Sequence, residues 1–514
     1  MTNEAFSRSA VKRSLVNFAV GKAGAAVVGF ALLLLLVRAL SKEQYGIYIA
    51  LVALFELVQL GSNFGVFAGA YRFVPQLLAS GNGLQLRSLV FWLTSFRVFS
   101  LLIPAVLFWF LSSPVSAILG IQEFAYVLAF YGLVLIAEGT ARYIDLLFDS
   151  LLEQGRVQLA VITRNLLRVI GAIALIQIGT QDQSLLYWVF IEFVASCVGL
   201  CLSFWMLKNI LNRHAVQTPG EHDAIEIKRI VRFAAYNYLS QLGYLLQSAD
   251  LIRLLVTKTA GAVISGAFGF AGAIGGMLRR YLPSFLLIGM IRSLFVAQRE
   301  RHGTSERLGK LADMVVRLNL FLLLPAMACI IVAGQPILNL LSGGKFPEAV
   351  PFLLLFVVLV ALQSLHAVLE MLANAVESYK APVRATFLAA VVLLICVLAS
   401  TEYGIVALCI GMLGSEVAFA AAMIYALNRE GVRYQAGANS LLRMGALCLT
   451  SLLVGQLLRA LFVFYGVSGS GWAVVLLCTA ICGVFYGLAI RFKPFLAEER
   501  ELINSLLPRK VFVW

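Results

Sequence analysis

Charge is what this 514-residue chain has least of: Asp, Glu, Lys and Arg together make up 13% of it, against 61% apolar residues and a mean hydropathy of +0.91. A soluble globular chain is about 25% charged and about 45–50% apolar. Too few charges are present to cover the surface of a soluble 56.0 kDa body, which excludes a soluble enzyme, a disordered scaffold and a secreted disulfide module. Histidine is scarcer still, with four residues and no metal-binding cluster. There is no Walker loop and no dinucleotide glycine fingerprint, so neither a self-contained ATP-driven pump nor any enzyme is indicated. The eight cysteines all fall inside apolar runs. Cys197/Cys201 and Cys478/Cys482 are four apart, without a His or acidic partner at zinc spacing, and read as small buried hydrophobes.

What is present is a succession of long apolar runs. A hydrocarbon core about 30 Å thick needs roughly 20 apolar residues per helical span. Spans are predicted at 14–39, 45–70, 88–110, 123–147, 157–178, 184–207, 231–256, 261–291, 312–334, 350–376, 382–400, 404–427, 441–463 and 471–491. The net charge of +14 is scattered between them, which sets orientation instead of forming a nucleic-acid face. Connectors on the N-terminal side carry twenty-six Lys and Arg, whereas the opposite side carries Lys42, Lys258 and Lys345, plus Arg38 and Arg253 if frayed span ends are counted. Both termini are therefore expected in the cytoplasm. Trp92, Trp109, Trp188, Trp205 and Trp472 fall near span ends, as an interfacial belt requires. Residues 292–312 and 494–508 mix apolar and charged residues at helical spacing and read as cytoplasmic interfacial helices.

Spans one and two overlay spans seven and eight at an offset of 215 residues: Phe18-Ala19 on Phe233-Ala234, Arg38 on Arg253, Gly46 on Gly261. The intervening number of spans is even, which makes this a parallel repeat. The expected fold is all-α: a polytopic membrane protein of about 14 transmembrane helices, in two pseudo-symmetric six-helix lobes plus two C-terminal helices. The boundaries follow as 1–210, 211–430 and 431–514, the last including an amphipathic cytoplasmic tail.

An ionisable residue at mid-bilayer costs about 3 kcal/mol even on the lenient insertion scale, and tends to face a cavity or another charge. Lys22, Arg97, Arg279 and Arg280 lie within apolar spans and lack an acid on their own helix, so they are the candidate binders of an anionic group. Glu138 and Arg142, four apart, and Asp250 and Arg253, three apart, read as intrahelical pairs. With Glu56 and Glu416 they form a set of coupling or structural charges. Arg164 and Arg168 are expected to reach the inner headgroups, and His366 to be a hydrogen-bonded structural residue. Pro283 and the glycines Gly272, Gly275 and Gly276 around Arg279-Arg280 allow the eighth span to bend.

Two stretches stand out. One is the run from Arg38 through Ser41-Lys42-Glu43-Gln44-Tyr45-Gly46 to Tyr48. The other runs from Leu341 through Gly343-Gly344-Lys345-Phe346-Pro347-Glu348 to Leu353, followed by Leu372-Ala373-Asn374-Ala375. Both resemble the corresponding stretches of bacterial polysaccharide (O-antigen, Wzx-type) flippases of the multidrug/oligosaccharidyl-lipid/polysaccharide exporter superfamily. Asp250-Leu251-Ile252 also matches the family, whereas Arg292-Ser293 stands where the family has a proline. The resemblance implies the flipping of undecaprenyl-pyrophosphate-linked oligosaccharide across the bacterial inner membrane by alternating access. It implies no cofactor beyond a coupling H+ or Na+. The implied partners are the lipid-linked oligosaccharide, membrane lipids, a polysaccharide polymerase and a chain-length regulator, and no nucleic acid. The alternatives are an ion-coupled small-molecule exporter or a lipid II flippase of the same superfamily. A glycan polymerase or ligase is disfavoured, because the outer connectors are too short to hold an acceptor loop.

Overall fold

The computed structural model describes the backbone of residues 8–79, 82–179, 184–215, 227–245, 248–286, 305–376, 378, 380–432, 434, 437–466 and 470–506, and their side chains from Gly24 onward except for some near segment ends. Among these residues every regular element is helical. Packing divides the chain into two units, Met1–Gly266 and Ala267–Trp514. The first holds α1 (Arg8–Ala39), α2 (Lys42–Gly61), α3 (Val66–Ala79), α4 (Gly83–Leu119), α5 (Ala125–Ser150), α6 (Gln154–Ile178), α7 (Ser184–Ala215), α8 (Ile227–Leu245) and the first half of α9 (Ala249–Tyr281). The second holds the rest of α9, a single turn α10 (Pro283–Leu286), α11 (Ser305–Ser342), α12 (Val350–Ala375), α13 (Lys380–Arg429), α14 (Ala438–Phe464), α15 (Gly471–Phe492) and α16 (Ala497–Leu506).

Eleven described helices are long and apolar enough to cross a membrane. One of them, α13, breaks at Gly404 (φ 58°, ψ −140°) into Lys380–Tyr403 and Ile405–Arg429, each about 36 Å long at 1.5 Å per residue. These are the separate spans eleven and twelve of the sequence. The remaining expected spans are α1, whose apolar described part is Gly24–Ala39, and α8 taken with the first part of α9.

Three spans expected to be continuous are interrupted. The second divides into α2 and α3 across Gly61–Gly65, where Phe64 and Gly65 take positive φ. The seventh divides between α8 and α9. The eighth begins after a break at Gly261 (φ 82°, ψ 171°) and ends at Tyr281, with Leu282 between it and α10. Pro283 has no N–H to continue the ladder, so the bend anticipated there is realised as a helix end. The remainder of that span and residues 292–304 lie outside the described residues.

The two family-like stretches are turns built from local hydrogen bonds. At the first, Gln44 N donates to Ser41 Oγ (3.2 Å) and Ser41 N donates to Gln44 Oε1 (3.3 Å), a capping box that starts α2. One turn further, Gly46 meets α9. A Cβ on Gly46 would overlap the carbonyl oxygen of Ala262 and reach within 3.0 Å of the Gly266 nitrogen, and one on Gly266 would lie 2.9 Å from the Lys42 carbonyl. The backbones touch because neither residue has a side chain. Of the two glycines that the offset of 215 aligns, Gly46 is helical and Gly261 is the break in α9. At the second stretch Gly343 and Gly344 take φ 64° and 84°. Phe346 N then donates to Ser342 Oγ (3.1 Å), and the fully buried Phe346 ring faces Phe270.

In the first unit, α3, α4, α5 and α7 enclose a core that includes Val74, Tyr143, Leu147, Phe148 and Ile210. In the second, α11–α15 enclose another around Val332, Leu369, Leu372, Met423 and Ile481. Helix α16, in the segment expected to be a cytoplasmic interfacial helix, is tied to that second core. Phe495, just before it, is buried and packs edge-on to Phe321 (5.5 Å), and Glu499 accepts hydrogen bonds from Arg317. Trp92, Trp109, Trp205 and Trp472 are exposed, as a belt requires, but Trp188 is fully buried against the edge of Tyr48. The close approach at Gly46 predicts that Gly46→Ala lowers stability by about 1–3 kcal/mol through overpacking. Gly29→Ala, inside α1 and with nothing within 4 Å of its added methyl, is expected to leave the thermal midpoint of the detergent-purified protein unlowered, or to raise it slightly through helix propensity.

Candidate functional site

The first unit contains a cluster of charges built from three helical stripes. Helix α5 presents Glu138, Arg142 and Asp145, α6 presents Arg164 and Arg168, and α7 presents Glu192 and Ser196. Residues three and four apart share a face, so each stripe follows from spacing. Glu138 is the hub. Its Oε1 accepts from Arg142 Nε (3.0 Å), and its Oε2 accepts from Arg168 Nη2 (2.7 Å) and Ser196 Oγ (2.9 Å), with Arg164 Nε at 3.6 Å. Arg164 also donates to both oxygens of Asp145, and Arg168 Nη2 lies 3.6 Å from Glu192. Arg142 Nη1 donates to Glu56 of α2 at 2.6 Å.

The Glu138/Arg142 pair predicted from the sequence is thus one edge of a larger assembly. Arg164 and Arg168 do not snorkel: both are buried, and each has found a carboxylate. Burial is graded across the cluster. The Glu138 and Arg164 side chains are each 4% exposed, whereas Arg142 and Glu56 are 43% and 34% exposed. Among the described residues three guanidinium groups face four carboxyl groups, an excess of one carboxyl. Glu192 is the member left short. Its Oε1 lies 3.5 Å from the Tyr48 hydroxyl, while its buried Oε2 has no hydrogen-bond partner among the described residues. Asp250 and Arg253 pair within α9 at 2.7 Å, as their spacing predicted.

Arg97 stands apart from the carboxylates. Expected as a binder of substrate, it is fully buried, and its donors go to the frayed end of α2. Nη1 donates to the Ser62 carbonyl (2.9 Å) and hydroxyl (3.2 Å), and Nη2 to the Gln59 carbonyl (3.4 Å) and side chain. The last carbonyls of a helix lack intrahelical partners and form the negative end of its dipole. Arg97 therefore answers the backbone that the α2–α3 break exposes, with its guanidinium over the Phe67 ring (5.1 Å). The same break is held from α8, where Asn63 Nδ2 donates to Gln241 Oε1 (2.7 Å) and Tyr238 donates to the Gly61 carbonyl.

In the second unit Arg279 and Arg280 occupy the last turn of α9, and both are exposed. Arg279 lies 4.6 Å over the Phe285 ring, and neither arginine makes an ion pair with a described residue. Glu416, predicted as a coupling or structural charge, is engaged by His366. His366 Nδ1 lies 2.8 Å from its Oε2, and the imidazole stacks on Phe419. The side chain of Lys22 lies outside the described residues. Sequence reasoning missed Asp145, Tyr48 and Ser196 as members of the first cluster, and Asp313–Arg317–Glu499 as the anchor of α16. The i, i+4 spacing of Asp313 and Arg317 was the available signal.

Apolar helices of bilayer length, helices broken inside their spans and buried charges that satisfy one another define a multi-pass membrane protein. Solved structures agree on the fold. A lipid II flippase, MurJ, in an inward closed conformation aligns with a TM-score of 0.64 at 13% identity, covering 93% of this chain and 100% of that one. An inward-facing multidrug resistance MATE family transporter of the MOP superfamily gives 0.59 at 13% identity, covering 79% and 94%. The Vibrio cholerae MATE transporter VcmN, as a mutant, gives 0.50 at 14% identity, covering 82% and 100%. The more specific assignment comes from residues 11–287, more than half of the chain, which match the family described as polysaccharide biosynthesis protein; the chain belongs to that family. No curated protein sequence matches it. Its fold is shared with that flippase and those transporters.

Removing one partner of a buried ion pair costs about 3–5 kcal/mol, because the other charge is left without compensation. Glu138→Gln is accordingly expected to destabilise the protein by that amount in thermal or denaturant unfolding in detergent. Glu138→Gln combined with Arg168→Gln should recover part of the loss.

Proposed function

We propose that this chain flips undecaprenyl-pyrophosphate-linked oligosaccharide repeat units across the bacterial inner membrane, by alternating access and with both termini cytoplasmic, for assembly of surface polysaccharide. The observation that carries this reading is the conjunction of a polysaccharide-biosynthesis family with a transporter fold. A sugar intermediate made on a lipid in one leaflet and needed at the other face requires a carrier for its polar head, while the polyprenyl tail stays in hydrocarbon.

The diphosphate falls to Arg279 and Arg280. They are adjacent, exposed and unpaired with any described carboxylate, and guanidinium groups match phosphate oxygens in bidentate fashion. The excess carboxyl of the first unit supplies coupling. Glu192 takes up a proton or Na+, and the Glu138 network, already neutralised by arginine, holds it in place.

Arg279→Ala combined with Arg280→Ala is expected to abolish surface polysaccharide in cells while the protein remains at normal level in the membrane. Normal polysaccharide would contradict the assignment of the pair. A small-molecule exporter would instead alter drug susceptibility and leave surface glycans intact, and a lipid II flippase would make deletion lethal. Glu192→Gln keeps the shape of a protonated carboxyl, so it is expected to fold normally and yet remove the dependence of flipping on the H+ or Na+ gradient. An unchanged gradient dependence in that variant would exclude Glu192 as the coupling group.

A further inference from the structure

A groove of about 480 Å3 lies between α4 and α7 in the first unit, and no step of the proposed transport uses it. Its α4 wall runs from Arg87 to Leu102 and its α7 wall from Phe204 to Asn212, with the lining residues at helical three- and four-residue spacing. Most of that wall is apolar and faces outward; Phe91 and Phe99 are 65% and 62% exposed. The charged residues lie at one end, where Arg87 on α4 and Lys208 and Asn212 on α7 line the groove. Arg87 and Lys208 are exposed, and neither makes an ion pair with a described residue. Two turns along α4, Thr94 lines the same groove and is 8% exposed, and its hydroxyl has no hydrogen-bond partner among the described residues.

Charge and length together select an occupant. The fifteen helical rises from Arg87 to Leu102 extend about 22 Å. One leaflet of a hydrocarbon core is about 15 Å deep, so the groove runs through a leaflet and into its headgroup layer, with the cations at the headgroup end. Apolar walls alone do not discriminate in a bilayer, because lipid tails are as apolar as leucine. The paired cations do discriminate, and basic pockets between spans at a membrane surface bind anionic headgroups.

We infer that this groove is a binding site for a bilayer phospholipid with a net-negative headgroup. The phosphate sits at Arg87 and Lys208, one acyl chain lies along α4 past Phe91 and Phe99, and a glycerol-ester oxygen accepts from Thr94. The site is separate from the flipped substrate and stands whether or not that substrate is a lipid-linked sugar. Two basic residues near the surface amount to roughly a thirtyfold preference for an anionic over a zwitterionic lipid.

The test uses the purified full-length protein with mixed phosphatidylglycerol and phosphatidylcholine, read by native mass spectrometry of retained lipid. The wild type is expected to retain phosphatidylglycerol in roughly thirtyfold preference. Arg87→Gln with Lys208→Gln should remove that preference, while Lys380→Gln with Arg384→Gln, at exposed basic positions elsewhere, should keep it. Ser95→Trp, which fills the groove and leaves its charges in place, should also lose the lipid. Equal retention of the two lipids by the wild type would overturn the proposal, as would an undiminished preference in the Arg87/Lys208 variant. Displacement of the lipid by inorganic phosphate or diphosphate would overturn it in favour of a free-anion site.

Discussion

An arginine inside a bilayer must be met by protein oxygen, and this requirement organises the first unit. Hydrocarbon offers no water to share the charge, so each guanidinium is stable only where carboxylates or open carbonyls already face it. Glu138 is the principal answer: one buried carboxylate receives Arg142 along its own helix, Arg168 from α6 and Ser196 from α7, with Arg164 close by. Three helices that would otherwise be related only by apolar contact are thereby fixed in one register. Arg97 meets the same requirement with backbone carbonyls in place of carboxylates, and so permits α2 to end inside its span without orphaned acceptors.

That use of charge bears on function. Charges that satisfy one another hold the scaffold, and those left over are available for chemistry. In the first unit the residue left over is a carboxyl, Glu192, with one oxygen unanswered among the described residues. In the second it is a pair of arginines at the end of a broken helix. A carboxyl suits a small cation and an arginine pair suits a diphosphate, the division of labour on which the proposed coupled flipping rests. The family-like stretches around Ser41–Gly46 and Ser342–Phe346 do neither job. They are capped turns with close backbone packing, so they mark the fold and not the substrate.

The all-helical membrane architecture was legible because a long succession of apolar runs of bilayer length is stable in hydrocarbon and insoluble in water. The pairings within a helix, Glu138/Arg142 and Asp250/Arg253, were legible because helical spacing is a local property. What escaped was tertiary. The i, i+4 spacing of Arg164 and Arg168 places them on one face of α6, but nothing local says that this face meets Glu138 and Asp145 instead of the headgroups. Arg97 looked like a free cation because its partners are main-chain carbonyls, which a census of side-chain charge does not see. They become available only through the break at Gly61–Gly65. Trp188 was placed in the interfacial belt by its position near a span end, yet burial beside Tyr48 depends on how α2 and α7 pack. The close approach of Gly46 to Ala262 and Gly266 also escaped, because it is set by how two backbones pack.

The most direct measurement is translocation by the purified protein in proteoliposomes that contain a polyprenyl-diphosphate oligosaccharide in both leaflets. An impermeant reagent that cleaves the glycan reports which molecules reach the outer surface. The account predicts that cleavage proceeds beyond the outer-leaflet fraction towards completion when the folded protein is present. Cleavage that stops at the outer-leaflet fraction, with folded protein in the membrane and an H+ or Na+ gradient applied, would contradict it.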